Sequence, residues 1–177
     1  MSGMPTEHER YGTYETIEGR PALRFKRRLP HPAQAVWRAV TEPSELAHWF
    51  PATVAVDLRI GGRMQFTFAD AAMPPSDGEV TELDPPRLFA FAWGDDVLRF
   101  EIEPEEGGAC VLRFTHVIPE SERAARDGAG WHICLDALEE RLAGGAPGPP
   151  SSEPTDRWRS LYDEYARRGH PTGAPVP

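Results

Sequence analysis

His116 is the side chain in this sequence best placed to do chemistry. Leu112 and Phe114 precede it at alternating positions. A period of two puts all three on one face of a strand, with the imidazole at the strand end. An inward imidazole can hydrogen-bond a ligand or act as acid or base; the plainer alternative is a histidine bonded to backbone near a helix start. His48, just before Trp49, sits either at a cavity mouth or on the surface. Neither histidine has a carboxylate identifiable from sequence as its orienter, so His116 is a candidate catalytic residue without a triad. Cys110 and Cys134 belong to no CxxC pair and fall in apolar patterns, as buried reduced thiols do. Gly61-Gly62 and Gly107-Gly108 open no helix, which makes them hairpin turns and not phosphate cradles. HExxH, GxSxG, Walker and dinucleotide motifs are missing from the sequence. The expectation is no metal, no cofactor and, on balance, no enzyme.

The second chemical signal is aromatic. Trp37, Trp49, Phe66, Phe68, Phe91, Trp93, Phe100, Phe114 and Trp131 fall at inward positions, where each is either core or the wall of a ligand cavity. The expected cavity set is Trp49, Met64, Phe66, Phe68, Phe91, Trp93, Phe100, Phe114, His116, Trp131 and Leu135.

These residues need a scaffold. Residues 13–29 read as a β-hairpin turning at Glu18-Gly19. Ala33, Val36, Trp37 and Val40 share one helical stripe, and a short helix with Leu46, Trp49 and Phe50 runs on to Pro51. Val54, Val56, Leu58 and Ile60 alternate up to a two-glycine turn, and Met64, Phe66 and Phe68 alternate after it. Further short strands follow at 78–83, 88–93, 98–103 and 112–116, an antiparallel meander. Helical spacing returns with Trp131, Cys134, Leu135, Leu138 and Leu142 on one face and His132, Asp136, Glu139 and Glu140 on the other; a turn before it is expected to be interrupted at residues 128–130. Each strand has one apolar face, and only the long helix is large enough to cover the sheet. A curved sheet around one helix leaves a gap between them, the expected ligand cavity. The domain plan is a flexible start (1–12), the sheet-and-helix domain (13–145), a Pro/Gly/Ser linker (146–153), a docking helix (154–168) carrying Trp158, Leu161, Tyr162 and Tyr165, and a frayed tail (169–177).

Composition narrows the partners. The chain has 177 residues, 40% hydrophobic and 27% charged, enough for one domain with its own core. Its net charge of −9 disfavours nucleic acid and anionic membranes as partners. The basic run at 24–28 has Phe25 inside it and reads as a solvated sheet face. Arg99 and Arg113 alternate out of phase with the apolar residues, an exposed ion-pair ladder beside Glu101. No stretch is long and apolar enough to span a membrane, and the polar start lacks a signal-peptide core, so the expected location is cytoplasmic.

An ordered set of residues resembles the heat-shock-protein-90 ATPase activator homologue family. It comprises Arg28-Leu29-Pro30-His31-Pro32, Val36-Trp37-Arg38-Ala39-Val40-Thr41-Glu42-Pro43, Leu46, Trp49-Phe50-Pro51, Gly61-Gly62, Gly78-Glu79-Val80, Asp84-Pro85-Pro86-Arg87-Leu88, Trp93, Thr115-His116 and Gly130-Trp131. The resemblance implies an α+β helix-grip (START-like) fold, a curved antiparallel sheet wrapped around a long C-terminal helix and a hydrophobic ligand. Together with the inward aromatic set and the missing catalytic motifs, it favours a non-enzymatic binder of a small hydrophobic or aromatic molecule. It also leaves open a polyketide cyclase-like enzyme using His116, an enediyne-type antibiotic-sequestering protein cleaved at a cavity-adjacent glycine such as Gly107 or Gly108, and an interaction module. A homodimer through the C-terminal helix belongs to the last of these. Chaperone contact is not expected, because only about 20 residues precede the shared region and the extra domain that makes this contact in eukaryotic relatives has no counterpart.

Overall fold

The structure, a computed structural model, describes residues 6–151 and 153–176. Two strands, β1 (Thr13–Ile17) and β2 (Arg20–Leu29), form the first hairpin. Helices α1 (Ala33–Thr41) and α2 (Pro43–Leu46) follow. The meander is β3 (Thr53–Val56), β4 (Arg63–Thr67), β5 (Ser76–Asp84), β6 (Leu88–Trp93), β7 (Asp96–Pro104) and β8 (Cys110–Val117). Two helices close the chain, α3 (Ala124–Leu142) and α4 (Asp156–Arg167). The sheet order is β1-β2-β8-β7-β6-β5-β4-β3. Because β2 pairs with the last strand, α1 and α2 must carry the chain across the sheet to β3 at the far edge.

That crossing decides what fills the interior. Phe50, just beyond α2, has its ring centroid 6.2 Å from Phe66, 6.4 Å from Phe91, 5.9 Å from Trp93 and 5.7 Å from Trp131. Phe100 stacks on Phe114 at 4.8 Å, and Trp131 meets Phe114 edge-on at 4.7 Å. The Trp49 indole donates to the Ala39 carbonyl at 2.9 Å, so even its polar atom is satisfied in the core. The expected gap between sheet and long helix is therefore occupied: side chains from the α1–α2 crossing fill the concave face, and α3 does not cover the sheet alone.

Four further expectations are corrected. Gly61-Gly62 do not make a two-residue turn. β3 stops at Val56, residues 57–62 form a loop that exposes 65% of Ile60, and a Cβ at Gly62 would lie 1.9 Å from the Asp57 carbonyl oxygen. α3 runs unbroken through residues 128–130. There Gly128 clears the Tyr165 ring, which a Cβ would meet at 3.3 Å, so this glycine serves helix–helix approach. Arg27 is only 3% exposed, in phase with Phe25 and Leu29. The tail is docked and not frayed: His170 is 6% exposed between Tyr14 and Tyr165, and the Pro171 carbonyl accepts from Ala125 N–H. Of the stretch 1–12, residues 1–5 lie outside the described residues, as do 152 in the linker and 177 in the tail. From Thr6 the chain is held down by Arg10, which bonds Asp136 and Glu139 on α3. Among the described residues no helix is long and apolar enough to cross a membrane.

Candidate functional site

α4 packs along the outer face of α3. Its Tyr165 hydroxyl accepts from Gly12 N–H at 2.9 Å and lies 2.9 Å from His132 Nδ1. Before α4, Pro150, Ser151, Glu153 and Thr155 face the N-terminal half of α3 and the β6–β7 turn without closing on them. A cavity of about 430 Å³ remains. Its apolar wall is Pro51, Trp93, Trp131, Ile133, Pro150 and Trp158.

The polar end is assembled by chain topology. Asp96 opens β7 directly after the turn at Gly94 (φ +60°) and pairs with Trp93 across the hairpin. His116 ends the apolar face of β8, opposite Leu98. Arg123 immediately precedes α3, so the short β8–α3 connection brings it back to the same corner. Asp96 Oδ1 accepts from Arg123 Nη1 at 3.1 Å, and Asp96 Oδ2 from Arg123 Nη2 at 2.7 Å. Arg123 Nε donates to Asp127 Oδ2 at 3.0 Å, and Arg126 Nε to Asp127 Oδ1 at 2.9 Å. Burial opposes ionisation of Asp96, but hydrogen bonds from His116 and Arg123 outweigh it and hold the carboxyl below its usual range.

The hydrogen bonds also define what His116 does. Trp131 Nε1 donates to His116 Nδ1 at 2.8 Å. An indole N–H only donates, so Nδ1 carries the lone pair and the ring proton sits on Nε2. Nε2 lies 2.6 Å from Asp96 Oδ2 and donates to it. Both ring nitrogens are thus engaged, and the imidazole braces Trp131 against Asp96. Asp96 is the orienting carboxylate that the sequence did not identify. The available signal was the β7–β8 hairpin register, which sets Asp96 diagonally across from His116.

Of the expected cavity residues, Trp93, His116 and Trp131 come together on this wall. Trp49, Met64, Phe66, Phe91, Phe100, Phe114 and Leu135 are buried in the interior instead, at most 1% exposed; Phe50 packs on Phe66 and Phe91, and Trp49 on Phe100. Phe68 is partly buried and stacks on Trp93. His48 Nδ1 lies 3.1 Å from the Pro147 carbonyl and tethers the linker, away from the cavity wall. Gly107 and Gly108 sit in the β7–β8 turn, at the opposite end of β7 from Asp96. Sequence reading missed Asp96, Arg123, Arg126, Asp127 and the linker and α4 residues, including Trp158. A larger groove of about 880 Å³ runs beside residues 6–15 and β2, but it is bordered mainly by charged side chains. Among the described residues no group of three or more His, Cys, Asp or Glu side chains is placed to hold a metal ion.

A curved antiparallel sheet closed by a long C-terminal helix, with its cavity beside that helix, is the helix-grip class of protein. The model of the family described as Activator of Hsp90 ATPase homolog 1-like protein matches residues 30–143, and the chain belongs to that family. Among solved structures it is similar to EF2215 from Enterococcus faecalis, a conserved protein of unknown function (20% identity, 89% of each chain covered, TM-score 0.72). It is also similar to CalU16 from Micromonospora echinospora (24% identity, 90% of this chain and 96% of that one, TM-score 0.69). DynU16, a putative protein in the dynemicin biosynthetic locus, is similar over 71% of this chain and 48% of its own (24% identity, TM-score 0.62). No curated protein matches the chain.

Proposed function

We propose that the protein binds a small, largely apolar molecule in the cavity between α3, the β6–β7 turn and residues 150–151 and 153–158, and does so without chemical turnover. The carrying observation is the cavity itself. Its volume of about 430 Å³ falls within the roughly 300–1,000 Å³ of ligand pockets, and it combines an apolar wall with a few convergent polar groups. The non-enzymatic reading is supported by His116, whose two ring nitrogens are committed to Trp131 and Asp96. A free general base would need one of them. As a second reading, the molecule is an antibiotic that the protein sequesters; the likeness to DynU16 supports this.

Gly130 supplies the test. It lines the cavity within α3, and a Cβ built there meets nothing within 4 Å among the described residues. Gly130→Ala is expected to stabilise the protein by about 1 kcal/mol in urea unfolding, since glycine is a poor helix former. Gly130→Phe is expected to fill the cavity. By calorimetry with 2-naphthol as probe, it should weaken binding at least tenfold while melting no lower than the native chain. Unchanged affinity in that variant, or no binding of the probe by the native chain, would remove the cavity from the account.

A further inference from the structure

Resting on the cavity as the binding site, we infer that Asp96 sets its specificity: the occupant is an uncharged aromatic molecule carrying a hydroxyl donor, and carboxylates of the same shape are rejected. A carboxylate offers about four acceptor sites. Asp96 spends three, two on Arg123 and one on His116 Nε2. The fourth, on Oδ1, has no partner among the described residues, and Asp96 lines the cavity. A hydroxyl donating to Oδ1 would complete the set. Charge excludes the anion. The lining carries Arg123 and Arg126 against Asp96, Asp127 and Glu153, two positive groups against three negative. The neighbouring cations are already engaged: Arg123 bonds both aspartates, and Arg126 bonds Asp127 and the Pro175 carbonyl. An incoming carboxylate would face the Asp96 oxygen in a lining whose charged groups are already negative on balance.

The test uses three probes with one ring system at about pH 7: 2-naphthol, 2-methoxynaphthalene and 2-naphthoate, titrated calorimetrically into the full chain. A hydrogen bond to a charged acceptor predicts about a tenfold preference for 2-naphthol over its methyl ether, with 2-naphthoate weakest. In Asp96→Asn the hydroxyl preference should shrink to within about twofold, because the amide is a weaker acceptor and brings its own donors. The comparison among probes on the native chain decides the matter even where that variant folds poorly. Equal affinities of 2-naphthol and its ether, or tightest binding of 2-naphthoate, would overturn the assignment of Asp96 while leaving the cavity as the binding site. Failure of all three would overturn both.

Discussion

Asp136→Ala is expected to lower the unfolding free energy by about 3–5 kcal/mol, the range for breaking a buried ion pair and leaving one partner behind. Asp136 accepts from Arg10, from Arg27 at 2.8 Å and from Arg157, and so ties the N-terminal segment, β2 and α4 to α3. Burial pushes its carboxyl upward, yet the hydrogen bond and charge of Arg27 outweigh that, and it stays below the usual carboxylate range. Without it, the buried Arg27 guanidinium would keep Glu139, 2.9 Å away, and the Arg10 carbonyl at 3.0 Å, while Arg10 would draw on the same Glu139. Arg27 Nε already has no partner among the described residues, so the site has little reserve. The double variant Arg27→Met, Asp136→Leu should recover most of the loss, because apolar replacements leave no charge stranded. Urea unfolding of the three chains checks this; a cost below about 1 kcal/mol for Asp136→Ala would contradict the role given to the network.

Stability is also expected to fall by about 3 kcal/mol as the pH drops from about 6.5 to about 4. Burial pushes the His132 imidazole down to about 4 from an ordinary 6.5, with Asp136 pulling the other way and Arg27, Arg157 and Arg10 assisting burial. The groups facing it are Tyr11 from the N-terminal segment, Tyr165 and Arg157 from α4, Arg27 from β2 and Asp136 one turn along α3. A depressed folded value means the unfolded chain takes up the proton first, so the stabilisation is complete above about 6.5 and is lost as pH falls toward 4. His170 adds in the same direction, its imidazole lowered by burial and both ring nitrogens buried without a partner among the described residues. Unfolding at pH 7 and pH 4.5 should show the difference, and His132→Gln should reduce it by at least half. Equal pH sensitivity in that variant would sink the assignment.

The sheet was legible because two-residue alternation in β7 and β8 maps directly onto an inner and an outer face; Arg99 with Glu82 and Glu101, and Arg113 with Glu103, line the outer one. The same rule applied strictly would have put Arg27 inside, in phase with Phe25 and Leu29. Its charge made a solvated face the default reading, and only the carboxylates of α3 explain its burial. Residues 128–130 looked like a break because glycine weakens an isolated helix, whereas Gly128 answers to the ring of Tyr165, which lies far along the chain. His116 could be picked out as the inward polar residue of its strand. Its partners could not, since Asp96 reaches it through hairpin register and Arg123 through a connection. The Pro-rich stretch at 146–153 reads as a linker by composition, yet Pro150 and Ser151 form part of the cavity wall. Periodicity describes one element at a time, and this cavity lies where three meet.

The most direct test of that location is the set of five tryptophan indole N–H resonances during titration with 2-naphthol. Trp93, Trp131 and Trp158 line the cavity, whereas Trp37 and Trp49 are buried in the core. Binding beside α3 should shift the first three signals and leave the other two within line width. Shifts centred on Trp37 and Trp49 would put the ligand between sheet and helix and contradict the account.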